Sequence, residues 1–214
     1  MNQQVVNCEL LLQPYPRKGG DANYQPPLWN NGIAFKEWAL VCEALGSGNQ
    51  SLLLRKGGIA EGKKGFGFEH EDFFLFPTWF HGQLEKMRPS YTPAVIVENP
   101  ETVTLEYVVH VDWSGFVSDR KKIARLEKLH VLHDSVIDER FSYNAVKASE
   151  GLHVAFVRVY RMSPSIQLPM EKRFGGCRSW VQLPVLTSPG ALISIVSDEE
   201  HAEREKFLED SLNT

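Results

Sequence analysis

Two segments of the sequence place cationic side chains beside a pair of glycines. In the first, Arg55 and Lys56 end an apolar run and are followed by Gly57 and Gly58. Glycines allow positive φ and a close approach of the backbone, as anion-binding loops require. Neighbouring strand residues point to opposite faces, so only one of the two cations can point into a site. The pattern predicts an anion or nucleic-acid contact, and a tight turn with a solvated basic pair is the alternative.

The second segment begins at Arg173 and ends at Trp180, with two glycines and Arg178 between them. The guanidinium of Arg178 offers a planar fork for phosphate or carboxylate, and Trp180 could stack on a base. Arg158 is expected on the preceding strand and could join the same surface, with Trp113 as a second stacking candidate. In the alternative, Trp180 is a core residue that closes the sheet and Arg178 pairs with an internal carboxylate.

A few acids and histidines are candidates for acid–base or metal chemistry. Glu69 and His70 directly precede an apolar run, and His81 follows it. A zinc site normally needs three or four well-spaced ligands, which this group does not supply. Converging carboxylates and a lysine could hold Mg²⁺ for a nuclease, and Glu43, Glu69 and Lys56 are the conceivable set. These residues are weak catalytic candidates; the leading interpretation requires no cofactor and assigns no metal site.

Another histidine pair, His130 and His133, is followed directly by Asp134. Its spacing fits one face of a helix, and a His–Asp pair recurs in metal phosphohydrolases. Those enzymes are all-helical, whereas this chain is rich in strand patterns. The sequence therefore favours structural roles for the pair.

Composition limits the class of protein. The 214 residues are 43% hydrophobic and 11% aromatic, which suits one ordinary domain with extensions. Three widely spaced cysteines indicate reduced thiols rather than a disulfide framework. No basic leader precedes the first short apolar stretch, and no apolar run approaches the roughly 20 residues of a membrane helix. We expect a cytoplasmic protein with no membrane partner.

The charge and the breaker residues divide the chain into three parts. Prolines and glycines interrupt residues 1–34, which are predicted to form an N-terminal extension. Residues 35–196 are predicted to form a single α+β domain. Residues 197–214 are predicted to form an acidic C-terminal helix or tail. The tail carries a net charge of −5 against −4 for the whole chain, so the remainder is close to neutral at +1. Such a tail could shield a basic face or keep the protein soluble.

The apolar periodicity predicts a strand-rich domain. Phe35, Trp38, Cys42 and Leu45 recur at helical spacing, which favours a helix over residues 35–45; a hairpin strand is the competing interpretation. Strands are predicted at 51–59, 66–76, 102–112, 152–162 and 180–183, and helices at 79–87, 135–141 and 198–212. Residues 102–112 alternate between apolar and polar, as in a half-buried strand. The predicted fold class is α+β, with a mixed sheet that could curve into a barrel and a few flanking helices.

Six signatures in one order resemble the bacterial family known as domain of unknown function 1802. They are Phe35-Lys-Glu-Trp38, Glu43-Ala-Leu45, Leu54-Arg-Lys-Gly-Gly-Ile59, Phe76-Pro-Thr78 with His81, Arg158-Val-Tyr160 and Gly175-Gly-Cys-Arg-Ser-Trp180. The resemblance covers residues 35–183. The family is functionally uncharacterised; the resemblance implies a link to restriction-modification through association with nuclease-type domains, none of which is visible in this sequence.

A more distant similarity concerns residues 43–55, which resemble the helix, glycine turn and strand that open PUA-like barrels of the ASCH type. In those barrels the strand delivers a cation near a nucleic-acid groove. Gln50 occupies the position at which that pattern often has lysine, so this chain lacks the expected cation at that position.

The leading hypothesis is a nucleic-acid-binding or recognition module, and the sequence leaves open whether the protein is an enzyme while favouring that it is not. The residues predicted to contact the nucleic acid are Arg55, Lys56, Gly57, Gly58, Arg158, Arg173, Arg178 and Trp180. The first alternative is a divalent-metal-dependent nuclease that uses Glu43, Glu69, His70 and His81. The second is a protein-interaction or regulatory subunit, so the partner is predicted to be either nucleic acid or another protein.

Overall fold

A computed structural model describes residues 32–56, 66–94, 101–143, 150–184 and 191–214. Within these residues the chain forms seven β-strands and four α-helices, and the predicted α+β class is confirmed. The strands are β1 (Ile33–Trp38), β2 (Leu52–Arg55), β3 (Asp72–Thr78), β4 (Thr102–Val117), β5 (Leu152–Pro169), β6 (Trp180–Gln182) and β7 (Ala191–Ser194). The helices are α1 (Ala39–Gly46), α2 (Arg120–Arg125), α3 (Asp134–Ser142) and α4 (Asp198–Asn213). In this described part of the chain, no helix combines the length and the apolar character needed to cross a membrane.

The strands form one mixed sheet in the order β2-β5-β4-β3-β1-β6, and β7 adds to β5 beside β2. Strands β1 and β3 run parallel, and the other pairs are antiparallel. At the two ends of this order, β2 pairs with β5 and β6 pairs with β1, and the two do not pair with each other. The sheet is therefore open, and the barrel considered from the sequence is wrong.

Two irregularities bend the long β4–β5 ribbon. The register between β4 and β5 shifts between Leu105 and Tyr107 and again between Val111 and Trp113. At the first shift β4 advances by two residues and β5 by five, and at the second β4 has one extra residue; such offsets change the face on which the following side chains lie. Leu105 accordingly packs in the smaller of two apolar clusters, whereas Val109 packs in the larger. The uniform alternation predicted for residues 102–112 is interrupted at the first bulge.

The core lies on both faces of the sheet. Along β3, Phe73 and Leu75 point into the larger cluster, while Phe74 and Phe76 point into the smaller one. This strict alternation is the two-residue period of a strand buried on both sides. All four helices contribute buried side chains to the larger cluster. The apolar run over residues 73–76 is central, as the sequence predicts.

Some element boundaries differ from those predicted. Residues 35–38 belong to β1, because their backbone pairs with β3 on one side and β6 on the other, and the helix begins only at Ala39. The backbone amide of Leu40, in the first turn of α1, donates to Gln83 Oε1 at 3.2 Å. Residues 66–71 precede the strand rather than belonging to it, and residues 79–87 contain only a 3-10 turn at Leu84–Lys86.

Helix α1 ends against β4 at a position that requires glycine. A Cβ added at Gly46 would lie 2.0 Å from Tyr107 Cζ, inside any normal contact distance. A substitution to alanine gains about 1 kcal/mol of helix propensity at most, but overpacking typically costs about 1–3 kcal/mol. We therefore expect Gly46→Ala to lower the free energy of unfolding, measured by urea denaturation. Gly67→Ala, whose added Cβ has no neighbour within 4 Å, is the control and should leave stability nearly unchanged.

Candidate functional site

The two ends of the strand order, β2 and β6, come within reach of one arginine side chain. Arg55, at the end of β2, donates from Nη2 to the Oγ of Ser179 at 3.1 Å. Ser179 directly precedes β6 on the opposite edge. The Arg55 guanidinium also lies over the ring of Phe35, 5.2 Å from its centroid. The two basic segments singled out in the sequence therefore meet in space, a convergence that sequence spacing alone could not establish.

A buried carboxylate lies between Arg55 and a second arginine. Glu37, on β1, is only 1% exposed; its Oε2 is 3.7 Å from Arg55 Nη1, and its Oε1 is 3.9 Å from Arg140 Nη2. Both distances exceed those of a hydrogen bond. The Trp38 amide donates to Glu37 Oε1 at 2.8 Å. Glu37 therefore compensates two guanidinium groups without being hydrogen-bonded to either.

Arg140 reaches this carboxylate from helix α3. Its side chain is 7% exposed, and its guanidinium lies 4.3 Å from the centroid of the Trp38 ring. Nη1 donates to the carbonyl of Leu54 at 2.6 Å, which ties α3 to β2. Burial lowers the pKa of Arg140; Glu37 opposes this effect and Arg55 adds to it. Arg140 is thus a buried cation with one buried counter-charge.

Two lysines, Lys36 and Lys56, add positive charge near Arg55. Lys36 Nζ donates to the carbonyls of Phe174 (2.9 Å) and Gly176 (2.7 Å), which fixes the second basic segment against β1. Burial lowers the pKa of Lys36; Cys177 raises it and Arg55 lowers it further. Lys56 lies just beyond the end of β2, so the strand alternation expected from the sequence does not separate it from Arg55, and its Nζ lies 3.4 Å from the ring centroid of Tyr143. The pKa of Lys56 is also lowered, mainly by burial.

We name Lys36, Arg55, Lys56 and Arg140 the cationic cluster. Arg55 is their common neighbour, since its charge lowers the pKa of each of the other three. Among the described residues, the carboxylates that raise these pKa values are Glu37 and the exposed Glu139, so the four cations exceed them by two formal charges. Cations that repel one another at a partly buried site are stabilised by an added anion. The arrangement is suited to binding one.

The remaining residues of the second basic segment surround the cluster. Arg178 is exposed beside Ser179, and Arg173 is exposed and paired with Glu171 at 2.8 Å. Trp180 packs into the sheet, with its ring 4.8 Å from that of Phe35 and 5.0 Å from that of Phe73. Trp180 therefore has the sheet-closing position that was the alternative to base stacking. Trp113 is likewise partly buried against the larger apolar cluster.

Arg158 is not part of this site. It is buried, forms an ion pair with Asp198 at the start of α4, and lies five residues along β5 from His153, the pairing partner of Arg55. That separation is about 17 Å along the strand. Arg158 joins the acidic C-terminal helix to the sheet, as does His201, whose Nε2 is 3.1 Å from Asp112 Oδ2. Gly57 and Gly58, predicted as part of the contact, lie outside the described residues.

The acids and histidines considered for catalysis do not converge. Glu43 lies on α1, Glu69 and His81 are exposed, and the His70 ring packs edge-on against Trp180 at 4.8 Å. Across residues 32–56, 66–94, 101–143, 150–184 and 191–214, no three His, Cys, Asp or Glu side chains are grouped so that they could hold a metal ion. The described residues therefore provide no carboxylate cluster for the nuclease alternative.

Gln50 has a structural role. Its side chain is buried, donates to the Leu52 carbonyl at 2.6 Å and accepts from the Val131 amide at 3.1 Å. A lysine could not accept that second bond. Gln50, at the position where PUA-like barrels often carry a cation, therefore stabilises the turn before β2 in this chain.

Sequence reasoning missed three residues of the site, namely Lys36, Glu37 and Arg140. The first two stand between Phe35 and Trp38, and a pair of charges inside an apolar strand is a signal that they are buried together. No comparable signal marks Arg140, because α3 is largely polar in sequence. Its burial depends on where the helix docks.

Comparison with known proteins identifies the family. The model of a family described as a domain of unknown function, DUF1802, matches residues 34–206. No curated protein and no solved structure matches the chain. The matched range includes every member of the cationic cluster, together with Glu37 and Ser179. Because the match covers most of its length, this chain belongs to the DUF1802 family.

Proposed function

We propose that this protein is a nucleic-acid-binding module that holds backbone phosphate at the cationic cluster. The observation that carries the proposal is that, among the described residues, the four cations around Arg55 exceed the neighbouring carboxylates by two formal charges, between the two ends of the sheet. Arg55 keeps 21% of its side chain exposed, so a ligand can reach it. A guanidinium matches the geometry of a phosphate better than an ammonium does.

A polymer of phosphates fits this surface better than a single ion. Lys172, Arg173 and Arg178 are exposed along the segment that Lys36 fixes beside the cluster. A row of cations next to a partly buried one can follow successive phosphates of a backbone. The last seventeen residues carry a net charge of −5 and the rest of the chain +1, so the net negative charge lies away from this segment in sequence. The module would act in the cytoplasm, and recognition beside a separate nuclease is the restriction-modification role it would suit.

The proposal predicts salt-sensitive binding that depends on Arg55. We expect Arg55→Gln to weaken binding of fluorescent single- or double-stranded DNA or RNA by about ten- to a hundredfold, the range for one charge-assisted contact. Arg178→Ala, at an exposed position, should also weaken it and reduce the dependence of log K on log salt by about one. Fluorescence anisotropy across a salt series measures both.

Arg88→Gln is the matched control. Arg88 has the same exposed fraction as Arg55, 21%, and also pairs with a carboxylate, that of Asp134 at 3.4 Å. It should bind like the wild type. Equal losses in Arg88→Gln and Arg55→Gln, or no binding of any of the four nucleic acids at low salt, would contradict the proposal and favour a protein partner. Cut product in Mg²⁺ that Glu69→Ala abolishes would replace it with the nuclease.

A further inference from the structure

A separate cavity of about 470 Å³ lies between helix α1 and the surface of the sheet. Its walls come from α1, the end of β3 and the first half of β4, with Arg161 and Met170 on the far side. None of the four residues of the cationic cluster lines it, and neither does Glu37. The volume falls within the range of pockets that hold small organic ligands. An inference about this cavity therefore does not depend on the proposed nucleic-acid site.

One carboxylate oxygen of the cavity lacks a hydrogen-bond donor among the described residues. Glu43 lines the cavity from α1, and its Oε2 atom is buried with no hydrogen bond from any described residue. Burial raises the pKa of Glu43, although the Ala94 amide and the Ser47 hydroxyl oppose this effect. A buried acceptor left without a donor is unfavourable, and a ligand that supplies an N–H donor would remove the penalty.

The other cavity groups select the type of ligand. Leu75, Trp79 and Met170 provide apolar and aromatic surface. Arg161 is already engaged, since it donates to the Gly46 carbonyl at 3.3 Å and lies 6.0 Å from the Tyr107 ring centroid. Glu106 adds a second carboxylate to the wall. The two carboxylates and the one guanidinium give the wall a formal charge of −1, and the body of the site is apolar.

We propose that this cavity binds a small organic cation with an aromatic or apolar body, whose nitrogen head donates a hydrogen bond to Glu43. The head would take the position facing Oε2, and the body would lie against Trp79, Leu75 and Met170. A protonated nitrogen also keeps the half-buried Glu43 ionised, because an opposite charge favours the charged carboxyl.

Benzamidine is a suitable probe because it joins an aromatic ring to a cationic N–H head. Binding is followed by the indole N–H signal of Trp79 in ¹⁵N-labelled full-length protein, assigned with Trp79→Phe. We expect benzamidine to shift this signal, and Glu43→Gln to weaken the binding by about tenfold or more. Glu85→Gln, an exposed glutamate outside the cavity wall, should leave the affinity unchanged.

Two further arms test the assigned chemistry. Benzoate and benzyl alcohol have the same ring without the cationic head, so both should bind more weakly than benzamidine. A Thr104→Phe substitution, at a half-buried cavity position on β4, should fill the cavity and abolish the shift while leaving the far-UV spectrum native. Equal binding of the three compounds, preference for benzoate, or benzamidine binding that survives both Glu43→Gln and Thr104→Phe would overturn the proposal.

Discussion

Replacing Glu37 with glutamine is expected to lower the free energy of unfolding by about 3–5 kcal/mol, the usual consequence of removing one partner of a buried ion pair. Glu37 is 1% exposed and is the buried carboxylate beside both Arg55 and Arg140. Arg55 can turn toward solvent when Glu37 is gone. Arg140 cannot, because its side chain is enclosed by Trp38 and bonded to the Leu54 carbonyl. The loss therefore arises mainly from an uncompensated guanidinium in the interior.

Urea denaturation at neutral pH measures this loss, and Glu200→Gln provides the matched control. Glu200 also pairs with an arginine, Arg204, but it is 48% exposed, and exposed pairs contribute about 0–1 kcal/mol. Equal effects of the two substitutions would mean that the Glu37 carboxylate does not compensate a buried charge. If Glu37→Gln fails to fold at all, the double variant Glu37→Gln with Arg140→Met provides the test.

The double variant Glu37→Gln with Arg140→Met separates charge from packing. If the loss comes from an unpaired cation, removing that cation should recover much of it, so the double variant should be more stable than Glu37→Gln alone. Phosphate provides a second check. With one negative charge fewer, the cationic cluster should be stabilised more strongly by added phosphate in Glu37→Gln than in the wild type. Absence of both effects would leave no role for charge compensation at this site.

The same residues show how far the sequence predicts the site. Arg55 and the segment ending at Trp180 could be recognised locally, because each carries its own pattern of cations and glycines. Their meeting depends on the curvature of an open sheet, which arises in part from bulges that no short pattern encodes. Arg140 lies 85 positions after Arg55 on a helix of mostly polar residues, so its entry into the interior depends on tertiary docking alone.

The fold was predictable to a similar extent. Long apolar strands, the central run at residues 73–76 and the C-terminal helix follow from periodicity, and the structure contains all of them. The helix predicted over residues 35–45 failed in its first part, since Phe35 and Trp38 are strand residues that happen to lie at helical spacing from Cys42. Tertiary pairing with β3 and β6 overrides the local pattern there.

One of the buried histidines, His130, leads to the second large expected effect, which is a loss of stability in mild acid. His130 is 4% exposed, and its Nδ1 has no hydrogen-bond partner among the described residues. Burial lowers the pKa of His130 to about 3, and the charges of Arg88, Arg140 and Arg120 act in the same direction. In the unfolded chain the pKa returns to about 6.5. The folded protein therefore keeps this imidazole neutral at a pH where the unfolded chain protonates it.

The direction of the pH dependence follows from these two pKa values. Stability is complete above pH 6.5 and falls as the pH decreases toward about 3, because only the unfolded chain gains the proton in that interval. The expected slope from this residue is about 1.4 kcal/mol per pH unit, or roughly 3 kcal/mol between neutral pH and the onset of carboxylate titration.

Urea denaturation at a series of pH values measures this slope. The wild type should show it, and the His130→Leu variant should lose most of it. His81→Gln, which removes an exposed histidine, should retain it. An unchanged slope in His130→Leu would show that His130 takes up its proton in the folded state or that other groups govern the acid transition.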